Sequence, residues 1–157
     1  MEDPLTFDLD ARLELAVNVA RKAGDIALDY FAKAQSGQLN TSPKSHQDYV
    51  SEADLAVEES IRGSLGTAFP EDGFLGEETP RKPGANCCWV VDPIDGTSNF
   101  IRGFDYWGIS IALVMNGEVR IGIVHDPVGN RTYTATKGGG AFLHGEKIQA
   151  SGQTDPA

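Results

Sequence analysis

Trp89-Val90-Val91-Asp92-Pro93-Ile94-Asp95-Gly96-Thr97-Ser98-Asn99-Phe100 is the stretch on which the fold and chemistry of this chain turn. An apolar run gives way to two carboxylates three residues apart, and a glycine and two hydroxyls follow at once. Short, β-branched and aromatic, Cys87 to Val91 predicts a buried strand. Pro93 fixes its own φ and biases Asp92 away from helix, so the chain should turn as it leaves that strand. A tight turn can bring Asp92 and Asp95 to one side, with the Ile94 carbonyl facing the same point. Gly96 permits an unusual backbone angle or the close approach of a ligand. A helix beginning near Thr97 would offer unbonded N–H groups and a positive end to an anion. Carboxylates suit a hard cation, and hydroxyls and amides suit phosphate, so the pattern predicts a metal-bridged phosphate site. The plainer alternative is a surface turn in which Asp92 and Asp95 cap backbone amides.

Upstream, Phe74-Leu75-Gly76 reads as a short extended piece that delivers Glu77 to a strand end, with Glu78 beside it as either a second ligand or a solvated charge. Further back the period is helical. Leu13, Val17, Ala20, Gly24, Ala27 and Phe31 recur every three or four residues and predict one amphipathic helix over 8–34, with Arg12, Arg21, Lys22 and Asp29 on its polar side. Gly24 and the alanines suggest close packing against another element. Residues 35–47 are polar and predict a loop. Ser51-Glu52-Ala53-Asp54 resembles a capping box that opens a second helix, with Val57, Ile61 and Leu65 as its buried stripe. Asp54 is then either a helix-start charge or a catalytic group.

Downstream the period is two. Trp107, Ile109, Ile111, Leu113 and Met115 share one face of a strand over 106–115, and Asn116-Gly117 is a hairpin signal. Strands over 118–124, 132–135, 140–143 and 147–148 follow. Thr79 to Asn86, with two prolines and a glycine, predicts a mobile loop that could serve as a lid. His125 reads as structural or as a residue able to reach a site. The fold class is α+β: two N-terminal helices packed on a largely antiparallel sheet.

The chain has 157 residues, enough for one domain with a real core, and a formal net charge of -10. That charge argues against a nucleic-acid backbone as partner and fits a protein that holds cations, although a solvated acidic surface has the same sign. No apolar run approaches a membrane span. Two adjacent cysteines, Cys87-Cys88, point to opposite faces of a strand, which excludes a ready disulfide and leaves a reduced, cytoplasmic setting as the expectation.

Gly76-Glu77-Glu78 followed by Trp89 to Phe100 resembles the first metal-binding signature of the inositol monophosphatase family, part of the magnesium-dependent, lithium-sensitive phosphatases. Lys44 through Asp54 resembles the segment that precedes it, and Gly138-Gly139-Gly140-Ala141-Phe142 resembles the family's glycine-rich hairpin. The resemblance implies the N-terminal half of an αβαβα sandwich. It implies that Glu77, Asp92 and the Ile94 carbonyl hold a first Mg2+, that Asp92 and Asp95 hold a second, that Glu77 positions the attacking water through a metal, that Thr97 paired with Asp54 activates that water, and that Gly96, Thr97 and Ser98 line the phosphate. The substrate it implies is a small phosphorylated metabolite: inositol monophosphate first, histidinol phosphate, a 3′(2′),5′-bisphosphate nucleotide or fructose bisphosphate otherwise. It implies a homodimer for the full-length form. The family's second α/β domain, with the Trp-Asp motif that completes the second metal site, has no counterpart here, since Gly108 follows Trp107. Residues 1–157 therefore read as a truncated N-terminal domain, and an inactive cation-binding or interaction module is the competing expectation.

Overall fold

The computed structural model describes residues 4–36, 43–84 and 86–154, with no side-chain description for 4–8 and 43–46. Helix α1 spans Pro4–Gln35 and α2 spans Pro43–Ala68. The strands are β1 (Gly73–Leu75), β2 (Cys87–Asp95), β3 (Gly108–Met115), β4 (Glu118–Asp126), β5 (Arg131–Thr136), β6 (Gly140–Leu143) and β7 (Glu146–Ile148), with a short helix α3 (Thr97–Arg102) between β2 and β3. They form one sheet in sequence order, β1 pairing parallel to β2 and every later pair antiparallel. The expected α+β class is what the structure shows.

The alternation of the strands decides the core. Trp89 and Val91, Ile109 to Met115 at every second position, and Ile121 and Ile123 are buried with Ala16, Ala20, Ala23 and Ala27 of α1 and Val57, Ile61 and Leu65 of α2. The other face carries Val90, Ala112, Val114 and Val124, none of them buried. Small residues let α1 approach closely: a Cβ on Gly24 would come within 2.7 Å of the His125 ring. His125 is accordingly structural, its Nδ1 3.0 Å from the Thr132 hydroxyl. Asn116 and Gly117 both take positive φ, 52° and 79°, as the tight hairpin between β3 and β4 requires.

Three boundaries and the place of one side chain differ from expectation. Helix α2 starts at Pro43, not at Ser51, because proline is suited to a first helical position and Val50 extends the buried stripe upward by a turn. Ser51 is exposed inside the helix and caps nothing, while residues 37–42 of the expected loop lie outside the described residues. Strand β2 continues through Asp95: the ladder pairs Asp92 with Ser110 and resumes at Asp95 with Gly108, so Pro93 and Ile94 form a bulge rather than a turn that ends the strand. Strand β3 begins at Gly108; Tyr106 is 84% exposed, and Trp107 instead closes an aromatic cluster with Phe31 and Phe100, at ring separations of 5.4 and 4.9 Å. Arg12, expected on a polar face, is buried: it forks onto both oxygens of Asp72 at 3.0 Å, and the Trp89 indole N–H donates to the same carboxylate. Cys87 and Cys88 are half-buried and not joined in a disulfide.

Candidate metal and phosphate site

Parallel pairing of β1 with β2 brings two carboxyl-terminal strand ends together. Leu75 is opposite Val90, so continuing the register by two residues carries Glu77 alongside Asp92. Helix α2 packs across β2 and presents Asp54 and Glu58, one turn apart, toward the same corner. Thus Glu77, Asp92 and Asp54, separated by up to 38 positions in sequence, act on one another as like charges.

Two of these carboxylates are poorly satisfied. Asp54 is only 6% exposed and its Oδ1 has no hydrogen-bond partner. Burial, then the charges of Glu78, Asp92, Glu77 and Glu58, push its carboxyl up to about 7. The buried Oδ1 of Asp92 also lacks a partner. Burial and the charges of Glu77 and Asp95 raise Asp92 to about 6, against a donation from the Ile94 amide that lowers it. Glu78 is likewise raised, by burial and then by Glu58 and Glu77. A buried anion without donors is costly. Orphaned hard oxygens among like charges fit a divalent cation, whose attraction for each carboxylate would offset these repulsions. Among the described residues no three Asp, Glu, His or Cys side chains are drawn together tightly enough to hold an ion as they stand.

Beyond Asp95 the backbone turns sharply. Gly96 sits at φ 94° and ψ 35°, a left-handed conformation, and a Cβ there would lie 3.2 Å from Trp107 Cα. Helix α3 starts directly after it with no side-chain cap; the Asn99 and Phe100 amides bond the Gly96 carbonyl at 2.9 and 3.0 Å. Ser98 is exposed at the first turn. The Thr97 hydroxyl donates to the Ile94 carbonyl at 3.0 Å, so its single proton is not given to Asp54, and the expected Thr97–Asp54 pairing is absent from this structure. The Ile94 carbonyl keeps a second lone pair. A cleft of about 520 Å³ is lined by Asp95 and Gly96 together with Tyr106, Arg131 and Tyr133.

Glu58 was missed from sequence. It is fully buried, and its carboxylate accepts from the Glu77 amide (2.7 Å), the Glu78 amide (2.9 Å), the Thr79 amide (2.7 Å) and the Thr79 hydroxyl (2.6 Å). Burial alone would raise its pKa, but the Thr79 hydroxyl and the three amides outweigh it and the net shift is downward. A signal existed: Asp54 and Glu58 fall on the buried stripe of Val50, Ala53, Val57 and Ile61, where acids four residues apart are out of place. Residues 79–82 of the expected loop over 79–86 are hydrogen-bonded to α2 and β1. Arg62 donates to Thr79 Oγ1 and the Pro80 carbonyl at 2.7 Å, and Phe74 and Lys82 exchange two backbone bonds at 2.8 Å.

The model of the inositol monophosphatase family matches residues 8–157. An inositol monophosphatase from Dictyostelium discoideum is 41% identical over 147 residues, covering 91% of this chain and 53% of that protein. A histidinol-phosphatase from Chlorobaculum parvum is 40% identical over 140 residues, covering 88% and 53%, and a Nus factor SuhB from Xylella fastidiosa is 39% identical over 143, covering 91% and 51%. The crystal structure of the extragenic suppressor protein SuhB from Bartonella henselae superposes with a TM-score of 0.80 at 34% identity, over 91% of this chain and 55% of that one. The chain spans about half the length of the relatives it matches. With the glycine-framed acids at two parallel strand ends and a family model covering nearly all of it, this chain belongs to the inositol monophosphatase family.

Proposed function

We propose that residues 1–157 act as the metal- and phosphate-binding half of a Mg2+-dependent phosphomonoesterase that works on a small phosphorylated metabolite, inositol monophosphate first. The observation that carries this is the pair of carboxylates, Asp54 and Asp92, each with a buried oxygen that no donor satisfies. In this reading Glu77, Asp92 and the Ile94 carbonyl hold one Mg2+, and Asp92 and Asp95 hold another. Bound there, the cations would polarise the phosphoryl oxygens and acidify a water. The chain's own part is positional. The left-handed Gly96 and the uncapped amides and hydroxyls of Thr97 and Ser98 line the phosphate. Thr97, turning away from the Ile94 carbonyl, accepts a hydrogen bond from the attacking water and passes its own proton to the Asp54 carboxylate, so that Asp54 is the base. Among the described residues no helix is long and apolar enough to cross a membrane. A cytoplasmic setting and a full-length homodimer complete the proposal.

The test is phosphate release from inositol monophosphate and histidinol phosphate by the full gene product, with and without magnesium. Asp95→Asn should lower the rate by about a hundredfold or more. An unchanged rate would remove the metal site from the proposal. Two of the matched relatives are named for these two substrates, so their relative rates choose between them. The unburied sheet face of Val90, Ala112, Val114 and Val124 favours a second reading, an inactive cation-binding or interaction module. Robust turnover by the isolated chain would exclude it.

A further inference from the structure

Three successive backbone amides, those of Glu77, Glu78 and Thr79, and one hydroxyl converge on the Glu58 carboxylate. A carboxylate offers about four acceptor sites and no donor, and here all four are used. The segment leaving β1 is therefore wrapped around a side chain that belongs to α2. Gly76 completes the wrap: a Cβ there would lie 2.3 Å from the Glu58 carboxyl, so only glycine lets the loop close over it. Helix α2 also packs on β2, which carries Asp92 and Asp95, so Glu58 ties the Glu77 backbone to the frame that holds the other acids. The Glu77 side chain is exposed, and the place of its carboxylate depends on that backbone.

We propose that Glu58 is the positioning residue that sets where the Glu77 carboxylate meets the metal. This rests on the reading of Glu77 as a metal ligand. Glu58 itself touches neither metal nor substrate. Its contribution is a rigid, fully satisfied anchor, and groups that orient a ligand from behind govern metal affinity by about 10–100-fold. Gln in its place would turn an NH2 group toward amides that need an acceptor, and would release part of the wrap.

The test is calorimetric titration of the chain with Mg2+, together with amide hydrogen exchange at 77–79 in the metal-free chain. Glu58→Gln and Gly76→Ala should each weaken Mg2+ binding about tenfold or more and speed exchange at 77–79. Asp72→Asn, at the opposite end of β1 from this loop, leaves one oxygen where two accept from Arg12 and Trp89, and should lower Tm while leaving Mg2+ affinity within about twofold. Where Glu58→Gln does not fold, Gly76→Ala carries the test with the carboxylate intact. Wild-type affinity in both loop variants, or an equal loss in Asp72→Asn, overturns the proposal. Glu77→Gln separates the two layers: if it loses Mg2+ while the loop variants keep it, only the role of Glu58 falls. If Glu77→Gln keeps wild-type affinity, the ligand assignment and the role of Glu58 fall together.

Discussion

Glu58 and Asp54 are one helical turn apart on the same buried stripe of α2, yet they are opposite kinds of residue. Glu58 is surrounded by four donors and its pKa is held down; Asp54 has an oxygen with none and is pushed up to about 7. The contrast repeats across the sheet. Asp72 is buried against Arg12 and the Trp89 indole, while Asp92 keeps an orphaned oxygen. Burial therefore does not divide these acids; the supply of donors does. An acid that the fold surrounds with N–H groups holds the fold, and one that it leaves among other acids has room for a cation.

The largest effect should come from removing the satisfied member. Glu58→Ala strands three amides and a hydroxyl in a part-buried corner, at a cost of about 3–4 kcal/mol, or roughly 10 °C in Tm for a domain of this size. Thermal and urea unfolding of the metal-free chain would measure it, and a loss under about 1 kcal/mol would mean that water replaces the carboxylate freely. The unsatisfied member should behave with reversed sign. Asp92→Asn removes a repelled charge, so the metal-free variant should be more stable than wild type by about 1 kcal/mol, some 3 °C. The same variant should lose the rise in Tm that magnesium produces in the wild type. A destabilised Asp92→Asn without metal would break the comparison.

The smallest effect is a slope against pH. Asp54 rises from 3.8 in the unfolded chain to about 7 in the folded one. Between those values the folded state binds more protons, so this group's contribution is full below its unfolded pKa and is lost as pH rises through about 7. His125 acts the other way, because burial holds its pKa below 6.5 and its contribution is lost on acidification. The difference between wild type and Asp54→Asn cancels His125. Wild type should lose ground to the variant steadily from about pH 4 to about pH 7, then run parallel to it. Parallel curves throughout would show that Asp54 carries no strain.

Much of this was legible before any coordinates. The helical stripe of α1, the alternation of β3 and β4, the Asn116-Gly117 hairpin and the acids of Gly76-Glu77 and Asp92 to Asp95 are local patterns, and local patterns survive into the fold. The bulge at Pro93-Ile94 was not legible, since proline reads as a strand terminator until a neighbour such as Gly108 is there to resume the ladder. Nor was the buried place of Arg12, whose partner Asp72 lies 60 residues away.

Sequence by itself determined which residue types were available and where the apolar stripe of each long helix and strand runs, because periodicity is a property of neighbouring residues. Only the tertiary structure decided which acids are satisfied. The parallel β1–β2 pair brings Glu77 beside Asp92, and α2 sets Glu58 among the amides of one loop and leaves Asp54 Oδ1 without a donor. Donors come from distant stretches of chain, and a carboxylate's charge state follows its donors rather than its position in sequence.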